Sequence, residues 1–362
     1  MISFRILSGL SLIALAAAIT LPADDPAPPP ISQQRMQQIW EEARTPFKYG
    51  VVVEPPAGKK VDCPTVFRHR GKWYMVYVQL EDPPAQGYTT QLAESADLLH
   101  WTSRGTILDR GDAGAWDHAN AAGGIALFDT QWNGSNGLET HDGRYWLSYI
   151  GGKLYGYETI PLSIGLASTA DPSKPRPWQK LPTPVLTTTD ADVRPDLETA
   201  TLYKSYIFHD RSMALGAPFV MFYNAKGASE RIFTAVSSDL KTWRRYGAGP
   251  AIENLPPNGS KRGVISGDPQ VVRMGDVWVM FYFGAFWKPG AFDTFAASRD
   301  LVHWTKWGGE DLIKASEPYD ATFAHKPWLL KHEGVVYHFY CAVGGANGHR
   351  AIALATSRAM KK

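Results

Sequence analysis

Cysteine is scarce in this sequence: Cys63 and Cys341 are the two present in 362 residues. That excludes a disulfide framework, and no Cys/His spacing of the zinc-binding kind occurs. A protein this long does not need a staple, so two buried thiols are the simpler expectation. A Cys63–Cys341 bridge stays open should the first and last repeats prove to be neighbours. Excess charge of one sign is also missing. The 37 basic and 35 acidic residues leave a formal charge of +2 and no basic stripe, which argues against a nucleic-acid partner. Long apolar runs are absent apart from Ile6–Ile19, shorter than the roughly 20 residues a membrane span needs. With Arg5 before it and small residues ahead of Leu21-Pro22-Ala23, residues 1–22 read as a secretory signal peptide. No cysteine lies near it to carry a lipid. The expected location is secreted or periplasmic, with no membrane attachment after cleavage.

What is abundant is aromatic and turn-forming. The sequence holds 13 Trp, 16 Tyr and 15 Phe beside 33 Gly and 26 Pro, a composition of many short strands and frequent turns. Residues 23–48 divide into a proline-rich spacer, DDPAPPP, and a short helix over SQQRMQQIWEEAR with Ser32 as N-cap. Met36, Ile39 and Trp40 share one face of that helix, which should pack on the main body.

From Val61 the sequence repeats. Asp62–Gln79, DCPTVFRHRGKWYMVYVQ, is a strand, a turn at His69-Arg70-Gly71-Lys72 and an aromatic strand. Gly267–Trp287, GDPQVVRMGDVWVMFYFGAFW, follows the same plan. The motif S-x-D-L-x-x-W occurs at Ser95–Trp101, Ser237–Trp243 and Ser298–Trp304. Looser copies are GGIALF to IGLASTADPSKPRPW and HKPWLL to AIALATS. Five units therefore start near residues 62, 123, 200, 267 and 325. The last lacks a fourth strand, which Tyr49–Val53 can supply. The expectation is an all-β protein, a five-bladed β-propeller over residues 49–362 behind the short N-terminal helix. The recurring Trp is assigned to packing between blades, since one binding site cannot use every copy.

In a propeller the first strands line the axis, and their entries share one face with the second-to-third loops. The strand entries are Asp62, Asp268 and His325, with Lys204 inside the third unit's first strand. Entry segments add Asp117, Arg194 and Glu198, and the loops add Tyr157, Glu158 and Trp287. Several acids, a histidine, cations and aromatic rings about one axial pocket suit a sugar. Two carboxyl groups flanking a glycosidic bond supply acid and base, and Trp287 or Tyr157 can stack on a sugar ring. Asp62, Asp268 and Glu198 are the catalytic candidates. His325, Lys204, Arg194, Asp117, Trp287, Tyr157 and Glu158 are the substrate-binding ones.

Over residues 60–358 the sequence resembles the five-bladed glycosidases of glycoside hydrolase family 43 and their relatives. Asp62 in DCPTV matches that family's blade-one base, and His325 its blade-five histidine, which sometimes accompanies a calcium ion. The family's blade-four acid is a Glu followed by Gly-Pro, where this sequence has Gly267-Asp268-Pro269; its blade-three Asp has no clean match. Glu198 and Asp268 are thus both left as the acid of a divergent member. The resemblance implies an inverting, secreted glycoside hydrolase with no required cofactor and a calcium ion near the axis as an option. The substrate would be a plant or algal polysaccharide, trimmed by exo-action of arabinosyl, xylosyl or galactosyl-type units. The alternatives are a non-catalytic carbohydrate-binding propeller and a phosphorolytic enzyme.

Overall fold

The computed structural model describes residues 27–82, 86–254, 264–345 and 348–361; the expected signal peptide lies outside them. One α-helix, α1 (Gln33–Ala43), is present among the described residues. Ser32 caps it, its hydroxyl accepting from Arg35 N–H, and Met36 and Ile39 are buried on the body as their spacing requires.

Apart from one 3-10 turn at Pro318–Asp320, everything else regular among the described residues is β. Strand β1 (Phe47–Val53) precedes five antiparallel meanders. The first is β2 (Lys59–His69), β3 (Lys72–Glu81), β4 (Thr89–Ser95) and β5 (Thr102–Leu108). The second is β6 (Asn120–Ile125), β7 (Tyr145–Gly152), β8 (Ser163–Thr169) and β9 (Gln179–Lys180). The third is β10 (Thr201–His209), β11 (Phe219–Lys226), β12 (Glu230–Ser237) and β13 (Arg244–Tyr246). The fourth is β14 (Ile265–Met274), β15 (Val277–Ala285), β16 (Ala291–Ser298), β17 (Thr305–Lys306) and β18 (Ile313–Lys314). The last is β19 (Phe323–His332), β20 (Val335–Gly344) and β21 (His349–Thr356), and β1 fills the place beside β21, Phe47 opposite Thr356. A single parallel bridge, Glu230 to Ile265, links the third and fourth meanders. The first strands β2, β6, β10, β14 and β19 touch in cyclic order, and β19 returns to β2.

This arrangement explains why second strands such as WVMFYFGA are apolar without alternation. Both faces of β15 are buried, because each sheet is covered by a neighbour on either side. The S-x-D-L-x-x-W segments form the turns between third and fourth strands. In each, the Asp carboxylate accepts backbone N–H groups two and three residues on, and the Leu takes a φ of 64° to 70°. Two of the Trp rings lean on the preceding meander: Trp101 meets Phe339 edge-on at 5.7 Å, and Trp304 meets Phe222 at 5.6 Å. Packing between sheets is the observed role of these rings.

Residues 126–144, between β6 and β7, close one end of the ring. Leu127 N–H donates to Ile207, Arg68 N–H to Asn136, Arg273 N–H to Thr130, and the Asn136 amide to Lys331. These contacts reach β2, β10, β14 and β19, while Phe128 packs at 5.1 Å on the buried Trp328. Among the described residues the axial space therefore opens at the other end.

Candidate active site

Four of the five inner strands, β6 excepted, do not enter the ring as plain strands. Pairing slips between Asp62 and Thr65 in β2, Leu202 and Ser205 in β10, Gly267 and Gln270 in β14, and His325 and Trp328 in β19. At three of these bulges the extra residue has a positive φ: Cys63 at 50°, Asp268 at 50° and Lys326 at 65°. A proline follows each of the three; having no N–H, it is tolerated where the ladder is broken. Bulges re-aim side chains, here toward the axis. They also correct the register read from sequence. Asp268 is equivalent to Cys63 and Lys326, whereas Asp62 is equivalent to Gly267 and His325. Glycine is needed at 267 because a Cβ there would fall 2.3 Å from Asn224 Nδ2.

The open end of the ring holds a cavity of about 400 Å³ lined by residues of every meander, within the range of small-ligand sites. Its carboxyl groups are Glu158, Glu230 and Asp268, its cations Lys204, Lys226, Lys326 and Arg350. One wall is aromatic: Phe286 meets Phe323 at 6.1 Å, and His325 lies 5.7 Å from Phe323 and 5.3 Å from Phe283. Tyr157 and Arg350 stand together elsewhere, the guanidinium 3.1 Å from the Tyr157 hydroxyl.

The acids differ in their partners. Asp62 is fully buried beneath the lining; Lys326 Nζ donates to it at 2.7 Å, and Arg350 Nη1 donates to the same oxygen. Burial alone would raise its pKa, but Lys326, Arg350 and His325 together hold it well below the usual carboxylate value. Glu230 has no cation within salt-bridge distance among the described residues. Its carboxylate accepts from Asn224 Nδ2 at 2.9 Å, and burial followed by the charge of Glu158 pushes its pKa up to about 8. Glu158 accepts from the Tyr88 hydroxyl at 3.2 Å, and burial raises it, with Lys326 and Arg350 opposing. Asp268 N–H donates to Asn224 Oδ1 at 2.9 Å. Its Oδ2 is buried without a hydrogen bond, 3.7 Å from Lys204 Nζ.

Of the residues chosen from sequence, Asp268, Glu158, Tyr157, Lys204 and His325 line the cavity, with Asp62 directly behind it. Tyr157 is pushed up to about 12 by burial and Glu158. Four others lie elsewhere. Glu198 is fully buried inside the third meander, bound by Arg194 at 2.9 Å, Arg245 at 2.8 Å and the Tyr223 hydroxyl; Arg194 is consumed in the same network. Asp117 accepts from Tyr149 at 3.0 Å and Lys180 at 2.6 Å, away from the cavity. Trp287 turns inward, its indole N–H donating to Ile265 at 2.9 Å, and its neighbour Phe286 takes the rim instead. Sequence reasoning passes over Glu230, Asn224, Lys326, Arg350 and Phe286. Glu230 is within its reach, because it ends the same second-to-third loop that holds Lys226.

The surroundings of His325 do not fit a calcium ion. Its Nδ1 faces the Cys341 carbonyl at 3.2 Å, burial and then Lys326 push it down to about 3, and Asp62 is already shared by two cations. No group of three His, Cys, Asp or Glu side chains suited to a metal occurs among the described residues. Both cysteines are free thiols, Cys63 half-buried and Cys341 buried.

No protein-family profile matches the sequence, and no curated protein does. Solved structures do. A structure named as a complex of BT0996 with RGII is 47% identical, with 92% of this protein and 97% of that one covered at a TM-score of 0.87. Another, named "Glycoside hydrolase", matches with the same values. A thermostable family-43 glycoside hydrolase is 14% identical over 83% of this protein and 90% of its own length, with a TM-score of 0.59, a likeness of fold.

Proposed function

This protein belongs to the glycoside hydrolases, the family of its 47%-identical relatives, and on that premise we propose that Glu230 and Glu158 are the catalytic pair of a secreted, exo-acting enzyme on a five-bladed β-propeller. One observation carries this reading: two half-buried glutamates line one cavity with no cation partner within 4 Å among the described residues, and their enclosure there raises the pKa of both. Glu230, pushed up to about 8, keeps its proton near neutrality and can deliver it to the leaving oxygen. Glu158, which Lys326 and Arg350 pull toward ionisation against its burial, is the carboxylate that activates water or attacks the anomeric carbon. Asp62 then serves as the counter-charge that fixes Lys326 and Arg350 against substrate hydroxyls. Inversion is implied by the family-43 placement of the acids, and moving the pair to Glu158 and Glu230 removes that support.

A cavity sealed by residues 126–144 admits the end of a polysaccharide and not its interior, which supports exo-action. Arabinosyl, xylosyl or galactosyl-type units of a plant or algal polysaccharide are the proposed substrates, and RGII, named in the complex of a 47%-identical relative, is the first to test. The experiment is incubation with RGII oligosaccharide, with and without phosphate, followed by chromatography of the released sugar. Release of one monosaccharide without phosphate, abolished by Glu230→Gln, is expected. Release that persists in Glu230→Gln and Glu158→Gln, or that requires phosphate, would overturn the assignment.

A further inference from the structure

The cavity is amphipathic, and its aromatic side does not stop where the acids do. Phe283, His325, Phe323 and Phe286 succeed one another at 5.3, 5.7 and 6.1 Å between centroids. Phe283 is buried and Phe286 is 57% exposed, so the series runs from the cavity interior to its rim. Phe286 sits at a φ of 64°, a left-handed conformation that a bulky residue adopts at a cost. The turn that holds it is closed by the Phe286 N–H donating to Gly290 at 3.2 Å. An exposed ring held in a disfavoured backbone at a cavity mouth points to a ligand, since burial does not repay either feature.

We infer that Phe286 is the platform on which the first sugar of the leaving group stacks, so that it sets the enzyme's preference for a saccharide leaving group. The geometry gives the assignment direction. With the far end of the ring sealed, the unit to be cleaved occupies the interior, and the remainder of the substrate must leave through the mouth. A pyranose or furanose offers an apolar C–H face to a ring and hydroxyls to its other side. The wall carrying Phe286 and Phe323 suits the face, and Tyr157 and Arg350 suit the hydroxyls. This inference rests on the hydrolase reading above.

The test compares wild type, Phe286→Ala, Phe286→Leu and Phe286→Tyr on two probes: RGII oligosaccharide and the methyl glycoside of the sugar released from it. The quantity read is the ratio of kcat/KM for the oligosaccharide to that for the methyl glycoside. Loss of one stacking contact should lower the ratio about fivefold to tenfold in Phe286→Ala. Phe286→Leu, which keeps bulk without a ring, should lower it similarly, and Phe286→Tyr should restore it. An unchanged ratio, or equal loss in Phe286→Tyr, overturns the platform. If wild type releases no sugar, the hydrolase reading fails on its own, and calorimetry of oligosaccharide binding decides the platform. Weaker binding by Phe286→Ala than by Phe286→Tyr then supports it; equal binding, or none by wild type, overturns it.

Discussion

Asp62 and Glu198 are fully buried and Glu158 and Glu230 only half-buried, and the contrast between the two pairs separates structure from chemistry in this molecule. Asp62 meets Lys326 and Arg350, and Glu198 meets Arg194 and Arg245. Each is a buried charge neutralised by two cations. Glu158 and Glu230 accept from a neutral phenol and a neutral amide, and nothing within salt-bridge distance among the described residues compensates their ionisation. Two cations hold Asp62 well below the usual carboxylate value; an enclosed acid without any can change state near neutrality. Burial alone, therefore, does not mark a catalytic carboxylate.

Substitution should split the pairs. Glu230→Gln keeps the shape and the neutral state that the site already favours, so folding should be preserved while turnover of RGII oligosaccharide falls by roughly a hundred- to ten-thousand-fold. Glu198→Gln should do the reverse. It leaves Arg194 without a carboxylate in a buried site, while Arg245 keeps Asp190 and Asp192, costing about 3 kcal/mol of stability, with kcat per folded molecule kept; urea unfolding and active-site-normalised kinetics read the two effects. Glu198→Gln enzyme that folds as well as wild type but has lost its kcat would break the comparison. Asp62→Asn should show both losses, about 3–5 kcal/mol and weaker substrate binding, because Lys326 and Arg350 line the cavity.

The fold was open to sequence reading because each repeat announces itself. Polar turns such as Arg70-Gly71 and Met274-Gly275-Asp276, and the three S-x-D-L-x-x-W segments, fix strand ends by local chemistry. The site was less open, for two physical reasons. A bulge moves register by one residue, so Asp62 and Asp268 look alike beside their prolines yet occupy different places, and Trp287 looks like the platform that Phe286 is. Ion pairing across distant segments is also invisible in one dimension. Glu198 sits in an acid-rich loop that resembles a site, and its partner Arg245 arrives from β13, 47 residues on. Glu230 in Ala228-Ser229-Glu230-Arg231 is marked only by its place at the end of a second-to-third loop, and part of the rise in its pKa comes from Glu158, far off in sequence.

The pH dependence of stability is the most direct probe of the uncompensated pair. A carboxyl whose folded pKa lies above its unfolded value binds more protons folded than unfolded between those values, so stability falls as pH rises through that window. For Glu230 the window runs from the ordinary glutamate value of 4.5 to about 8, and Glu158 acts in the same direction. Asp62 has the opposite sign: its depressed pKa contributes stability at neutral pH that is lost only as pH falls below 3.8. Wild type should therefore lose stability between pH 4.5 and 8 relative to Glu230→Gln, whose amide does not ionise, and urea midpoints measured across that range would show it. Asn224→Ala tests the same group from the other side. The Asn224 amide favours the ionised form of Glu230, so its loss should move the alkaline limb of the activity profile upward by less than about one pH unit, the scale of one neutral hydrogen bond. Parallel midpoints for wild type and Glu230→Gln, with an unmoved alkaline limb in Asn224→Ala, would mean that Glu230 is compensated after all and belongs with Glu198.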